Sequence, residues 1–283
     1  MGPGTMTSIF FRSIKFLIGL GFVFVLLLAL LGSITGLIKE PPKQTAEQAL
    51  HKHPKELDLP SNGPLGKFDT GQLQRGFKVY KEVCAACHSL HMISFRNLKD
   101  LGYSDAQVKK IAKEWAMKQP VFDEKAGTWG ERDNIPSDHF PKVYYAGTGN
   151  PPDLSLITKA RHDGAAYVHS LLTGYGEKPD PAVAAKFPEA MKTPEGVHFN
   201  PYFANLNIAM PPPLTSEGQV QFDDGTRATV DQMAKDVSAF LVWTAEPTLQ
   251  TRHMAGVAVV IFLLFATVLA YGAYLTVWRG MKH

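Results

Sequence analysis

Cysteine is scarce in this chain and confined to one place: two residues in 283, at positions 84 and 87. That scarcity excludes a disulfide-stapled fold, which needs several distributed pairs, and a four-cysteine zinc module, which needs a second pair of ligands. Acidic residues are missing before Glu40, and residues 254–278 hold no charge of either sign. A strong excess of one charge is missing too. Outside the two apolar ends, 25 basic residues face 26 acidic ones, since Arg12, Lys15, Arg279 and Lys282 lie in or beyond those ends. A domain near −1 has no basic field to attract a polyanion, so nucleic acid is not an expected partner. Scattered acidic groups such as Asp223 and Asp224 are candidates for a local docking patch, and a solvated turn is the preferred reading of that pair.

The two zones without acidic residues are long. Residues 10–38 carry only Arg12 and Lys15 as charges, and residues 257–269 show no polar stripe on any helical face. Each zone is about as long as the ~20 residues a helix needs to cross a bilayer, where it satisfies its own backbone hydrogen bonds. The lipid bilayer is therefore an expected partner. Basic residues mark the inner side of a span: Arg12 and Lys15 precede the first zone, Arg279 and Lys282 follow the second. Residues 39–253 are thus expected outside the cytoplasm, with 254–278 as a C-terminal span and 279–283 as a cytoplasmic tail. Residues 1–38 read as an N-terminal span or as a removable signal segment. The long apolar run and the lack of a small-x-small cleavage site favour retention.

What the chain does contain is Cys84-Ala85-Ala86-Cys87-His88. Two thiols three apart, followed at once by an imidazole, can each add to one vinyl group of the same haem while the ring ligates its iron. A thioredoxin-type dithiol would need a strand-helix-strand setting that is not evident here. Ahead of the motif, Asp69 and Thr70 can cap a helix whose Leu73, Phe77 and Tyr80 recur on one face. Such a face can pack against a porphyrin.

The sixth ligand decides between an electron carrier and an open iron site. Met92 is too close to His88 to reach the opposite face, and Met1, Met6, Met254 and Met281 belong to the spans or ends, which leaves Met117, Met191, Met210 and Met233. Met117 and Met233 fit the apolar repeats of two expected helices, residues 104–118 with a Ser104-to-Gln107 capping box, and residues 230–243. Met210 stands before three prolines, Pro211 to Pro213, which hold its backbone extended and stiff. It is the preferred ligand. His162 and His169, on an expected helix around Asp163-Gly164, and His198, in an expected loop, stay as alternatives. Arg161 is a candidate partner for a haem propionate, because guanidinium binds carboxylate bidentately.

Taken in order, the motifs resemble the cytochrome c1 family, the haem subunit of the ubiquinol:cytochrome c oxidoreductase. The resemblance rests on Arg75-Gly76 and Val79-Tyr80, Cys84 to Leu90, Pro151-Pro152-Asp153-Leu154-Ser155, and Arg161-His162 with Tyr167 and Leu171 to Tyr175. It continues through Phe199-Asn200-Pro201-Tyr202-Phe203, the Met210 loop, and Asp236-Val237 to Pro247. The family implies a mainly α fold: an enlarged cytochrome c-type haem domain with long loops and one C-terminal transmembrane helix. It implies one covalent haem c on Cys84 and Cys87, iron ligated by His88 and Met210, Arg161 near a propionate, and Tyr167 and Tyr80 packed at the haem pocket. Its implied partners are cytochrome b, the Rieske iron-sulfur protein, and a soluble or membrane-tethered cytochrome c, within a dimeric complex. The expected site is a bacterial plasma membrane or its equivalent, with the haem domain on the periplasmic side.

On this reading the chain is an electron-transfer subunit with no acid, base or nucleophile of its own. A free-standing tethered carrier and an open-site haem enzyme or sensor are the alternatives. Residues 119–144 read as loop, of no assigned role.

Overall fold

The computed structural model describes residues 3–41, 43–147 and 149–281. Two compact units separate along the chain, residues 1–49 and residues 50–283.

The first unit is dominated by α1 (Pro3–Lys39), a 37-residue helix. From Ile14 to Lys39 it has the length and composition of a membrane span, with its side chains exposed along the whole stretch. A helix apolar on all faces gains nothing from exposure to water, so its stable setting is lipid. A short α2 (Ala46–Leu50) follows, begun by reciprocal bonds between Thr45 and Gln48.

The second unit is mainly helical. Its elements are α3 (Thr70–Val79), α4 (Asp105–Glu114), β1 (Gln119–Asp123), β2 (Thr128–Arg132), α5 (Ile157–Ala160), α6 (Gly164–Thr173), α7 (Pro181–Ala184), β3 (His198–Phe199), β4 (Asn207–Ile208), α8 (Val230–Ala245) and α9 (Leu249–Val277). Asp69 caps α3 as expected, its side chain accepting from Gln72 N, a bond worth about 1 kcal/mol. Leu73, Phe77 and Tyr80 are all buried. They meet α8, whose Met233, Val237, Phe240 and Trp243 form the facing core.

The α3–α8 crossing is close because residue 76 is glycine. A Cβ there would stand 2.1 Å from the Asp236 carbonyl oxygen and 2.6 Å from the Phe240 Cβ. A polar clamp locks the same crossing: Arg75 Nε bonds the fully buried Asp236 carboxylate at 2.7 Å, and Gln72 and Gln232 donate to it. Arg75 Nη1 reaches Asp224 at 2.6 Å and Lys78 reaches Asp223 at 2.8 Å. The Asp223-Asp224 turn is exposed, as expected, and is also tied to α3.

Several boundaries differ from expectation. The Ser104–Gln107 capping box forms, but the helix it starts ends at Glu114, because Trp115 turns extended and inserts into the core. Met117 consequently falls outside the helix and is exposed, whereas Met233 is fully buried in α8. Residues 119–132 are a two-stranded antiparallel hairpin and not a loop, pairing Gln119 with Arg132 through Asp123 with Thr128. His198 lies in β3, and His162 precedes α6.

The C-terminal apolar helix starts at Leu249, five residues before its uncharged stretch. Leu249 is buried, Arg252 pairs with Glu246, and His253 Nδ1 lies 3.2 Å from the Gly66 carbonyl. These contacts join the first turn of α9 to the packed part of the second unit. Tyr271, Tyr274 and Trp278 stack at the far end, beside Arg279. Aromatic and basic residues in that order belong at a membrane–water boundary. Lys282, part of the orientation argument, lies outside the described residues.

Candidate functional site

The Cys-x-x-Cys-His motif sits where α3 changes its winding. From Tyr80 to Cys84 the helix widens into a π turn: Ala85 N bonds the carbonyl of Tyr80, five residues back, at 2.8 Å. Cys84 O then accepts from both Cys87 N (3.1 Å) and His88 N (2.9 Å). Local π turns cluster at functional sites because they re-aim side chains without ending the helix. Tyr80 lies at the bottom of this turn, stacked on Trp115 and tilted on Phe240. Its hydroxyl donates to the His88 carbonyl at 2.9 Å. The ring therefore belongs to the aromatic core, and only the hydroxyl reaches the motif.

His88 is oriented by its own ring. Nδ1 lies 2.8 Å from the Pro152 carbonyl, which can only accept, so Nδ1 carries the proton and Nε2 keeps its lone pair. Burial holds the ring below its ordinary pKa, with the Pro152 bond and Asp153 partly offsetting. The imidazole is thus neutral and ready to ligate. Cys84 and Cys87 are not joined in a disulfide. Burial, with Cys87 alongside, pushes the Cys84 thiol up to about 12. A redox dithiol needs the opposite shift. Among the described residues no three His, Cys, Asp or Glu side chains converge on a metal position.

A second group of predicted residues lies on α5, α6 and the loop after β4. At the end of α5 the Arg161 backbone turns extended, and its guanidinium Nη1 donates to the Ala160 carbonyl at 3.1 Å, near the Tyr167 hydroxyl on α6. Burial raises the Tyr167 phenol and Arg161 partly offsets the rise. Burial, with Tyr167 nearby, also raises Tyr175, whose hydroxyl donates to the Met210 carbonyl at 2.9 Å. Tyr175 was legible only as part of a motif. Met210 itself is half-buried against the core.

One close approach joins the two groups. A Cβ on Gly149 would stand 3.2 Å from the Ala209 Cβ. The strand of chain leading to Pro152, which holds His88, therefore touches the residue before Met210. Of the other ligand candidates, Met117 is exposed, Met233 is sealed under α8, and His162 is exposed. His169 is buried and engaged by Asp231 at 2.9 Å. Met191 and His198 line a cleft with Tyr175 and Pro212, on the Met210 loop.

The donor set fits a covalently bound haem: two cysteines three apart and not joined to each other, an imidazole with one nitrogen anchored, and a thioether on a proline-stiffened loop. Comparison with known proteins points the same way. The model of the cytochrome C1 family matches residues 59–281. "Cytochrome b/c1" of Bradyrhizobium diazoefficiens is 45% identical over 237 residues, 76% of this chain, and the match occupies only 34% of that longer protein. "Cytochrome c1" of Rhodospirillum rubrum is 39% identical over 250 residues, covering 83% of this chain and 89% of the relative. "Cytochrome c1 1, heme protein, mitochondrial" of Arabidopsis thaliana is 39% identical over 266 residues, covering 90% of this chain and 82% of the relative. With a family model over most of its length and relatives at this identity, the chain belongs to the cytochrome c1 family.

Proposed function

We propose that this chain takes single electrons from the Rieske iron-sulfur protein and passes them to a soluble or membrane-tethered cytochrome c, as the membrane-anchored haem subunit of a respiratory quinol:cytochrome c oxidoreductase. The observation that carries the reading is the His88 ring, anchored through Nδ1 on a Cys-x-x-Cys-His turn, with the Met210 loop drawn against the segment that anchors it.

The chain carries one covalently bound haem c. Cys84 and Cys87 hold it through their sulfurs, His88 Nε2 and Met210 Sδ ligate its iron, and Arg161 neutralises a propionate. Tyr167 packs at the haem pocket beside Arg161, and Tyr80 pins the His88 backbone. When bound, the haem supplies a one-electron couple whose potential a thioether ligand raises. The protein's own work is to fix those ligands, shield them from water and present the site to two partners in turn. No acid, base or nucleophile is assigned, so the chain is not an enzyme by itself.

Cytochrome b is the expected membrane partner, a reading supported by the relative whose name joins cytochrome b and c1. The apolar α9 gives the haem domain a fixed position beside it, in a dimeric complex. The haem domain is assigned to the periplasmic side of a bacterial plasma membrane, with the C-terminus in the cytoplasm.

The test is an oxidised-minus-reduced absorption spectrum of the purified protein, alongside Met210→Ala and Met210→His. The expected result is a weak long-wavelength thioether-to-iron band in the wild type that both variants lose together with a fall in potential. A wild type without that band, binding carbon monoxide readily, would overturn the carrier reading in favour of an open-site haem protein.

A further inference from the structure

Residues 88–92 are fastened to residues 152–155 by a run of bonds, of which ligation of the iron explains only one. His88 Nδ1 meets the Pro152 carbonyl at 2.8 Å, Leu154 N donates to the Ser89 carbonyl at 2.9 Å, and Met92 N donates to Ser155 Oγ at 3.2 Å. Between them lies a pair with no role so far. Asp153 Oδ2 accepts from the His91 main-chain N–H at 2.9 Å and from its ring Nδ1 at 2.7 Å, while Oδ1 accepts from Ser155 N at 2.9 Å.

The position of this pair gives it leverage. Asp153 follows Pro152 directly, so fixing its side chain fixes the peptide whose carbonyl holds the axial ring. Pro151 and Pro152 have locked φ angles and leave that peptide few other ways to move. Ser155 is fully buried and His91 is about two-fifths exposed, so the pair closes the zipper at its outer side. Contacts behind a metal-bound histidine tune it, because the bond from its other nitrogen sets ring orientation and basicity.

We propose that His91 and Asp153 are positioning residues for the axial imidazole: together they hold the Pro152 carbonyl on His88 Nδ1 and so set the reduction potential. The inference rests on the haem reading above. A tightly held Nδ1–H···O bond makes the imidazole a stronger donor, which favours the ferric state. Slackening it favours the ferrous state.

The experiment is an equilibrium redox titration of the full-length protein in its complex, followed by absorption, for wild type, Asp153→Ala, Asp153→Asn, His91→Ala and His91→Gln. The His88 ring-proton shifts are read by NMR in parallel. Asp153→Ala is expected to raise the reduced-to-oxidised ratio about tenfold at a fixed potential, which for one electron is about 59 mV. Asp153→Asn and the His91 variants should shift it less and in the same direction. The double variant should move no further than Asp153→Ala, because the two residues act in one network. If Asp153→Ala does not assemble, Asp153→Asn and His91→Gln decide. Variants that keep covalent haem and the thioether band, yet titrate at the wild-type potential or below it, overturn the proposal and leave the haem reading intact. A wild type without covalent haem overturns both.

Discussion

Tyr175 holds the Met210 carbonyl through one hydrogen bond of 2.9 Å, and the loop it steadies carries a proposed iron ligand. Removing the hydroxyl in Tyr175→Phe keeps the ring's packing and deletes a bond worth about 1 kcal/mol. The expected outcome is local: the thioether-to-iron band disappears at a lower denaturant concentration than in the wild type, while the far-ultraviolet circular dichroism midpoint moves less. Single residues differ in how well the sequence announces them. Cys84, Cys87 and His88, the proposed attachment site, are legible because attachment to one porphyrin would demand that spacing. Tyr175 and the His91–Asp153 pair are not, since their partners lie 35 and 62 residues away and a hydroxyl-to-carbonyl bond needs no particular residue type at its acceptor.

At the scale of elements, the α3–α8 crossing is the feature most sensitive to one atom. In Gly76→Ala the new Cβ would meet backbone at 2.1 Å, which cannot rotate away as a side chain could. Overpacking of this kind costs about 1–3 kcal/mol, and the helices must separate to relieve it. A urea titration should show the midpoint lowered accordingly, with poor haem incorporation because α3 leads directly into the Cys84 turn. The Arg75-Gly76 pair in the sequence thus marks a packing requirement rather than a chemical one. Element boundaries were less legible. The repeat that suggested a helix to residue 118 runs past Trp115, whose side chain is drawn into the aromatic core with Phe77, Phe95 and Phe140. The hairpin of β1 and β2 went unread because both its faces are exposed, so no alternation of apolar and polar residues marks it.

For the whole molecule, charge pairing sets the response to acid. The Thr226 backbone and Arg75 hold the Asp224 carboxyl at about 2. Burial pulls Asp153, Glu177 and Glu246 upward, but bonds from His91 and Ser155, from Lys52 and Lys55, and from Arg252 and Lys159 outweigh it and leave all three depressed. A depressed carboxylate pKa means the unfolded chain binds protons more readily. The stability these groups contribute is present above their unfolded pKa and is lost as pH falls through the folded one. Denaturation at a series of pH values should therefore show a first loss of stability below about pH 6.5, as the unfolded chain protonates His169, whose folded pKa burial lowers, and a steeper one from about pH 5 towards about pH 2 from these carboxylates. Topology is tested at the same scale. A reporter active only in the cytoplasm should work when fused after His283, and one active only outside should work in the turn between β1 and β2. The reverse pattern would place the haem domain on the wrong side.

By itself the sequence determined what depends on neighbours in the chain: the two apolar helices and the cap of α3, together with the spacing of Cys84, Cys87 and His88 and the prolines after Met210 on which the proposed haem site rests. All follow from local spacing, hydropathy or backbone restriction, which act within a few residues. Only the tertiary structure decided which side chains serve that motif from a distance. Gly149 against Ala209, Pro152 on His88, and the His91–Asp153 clasp depend on how long loops return to the core. Those returns are fixed by packing against α3 and α8, a property of the assembled fold that no single stretch of chain encodes.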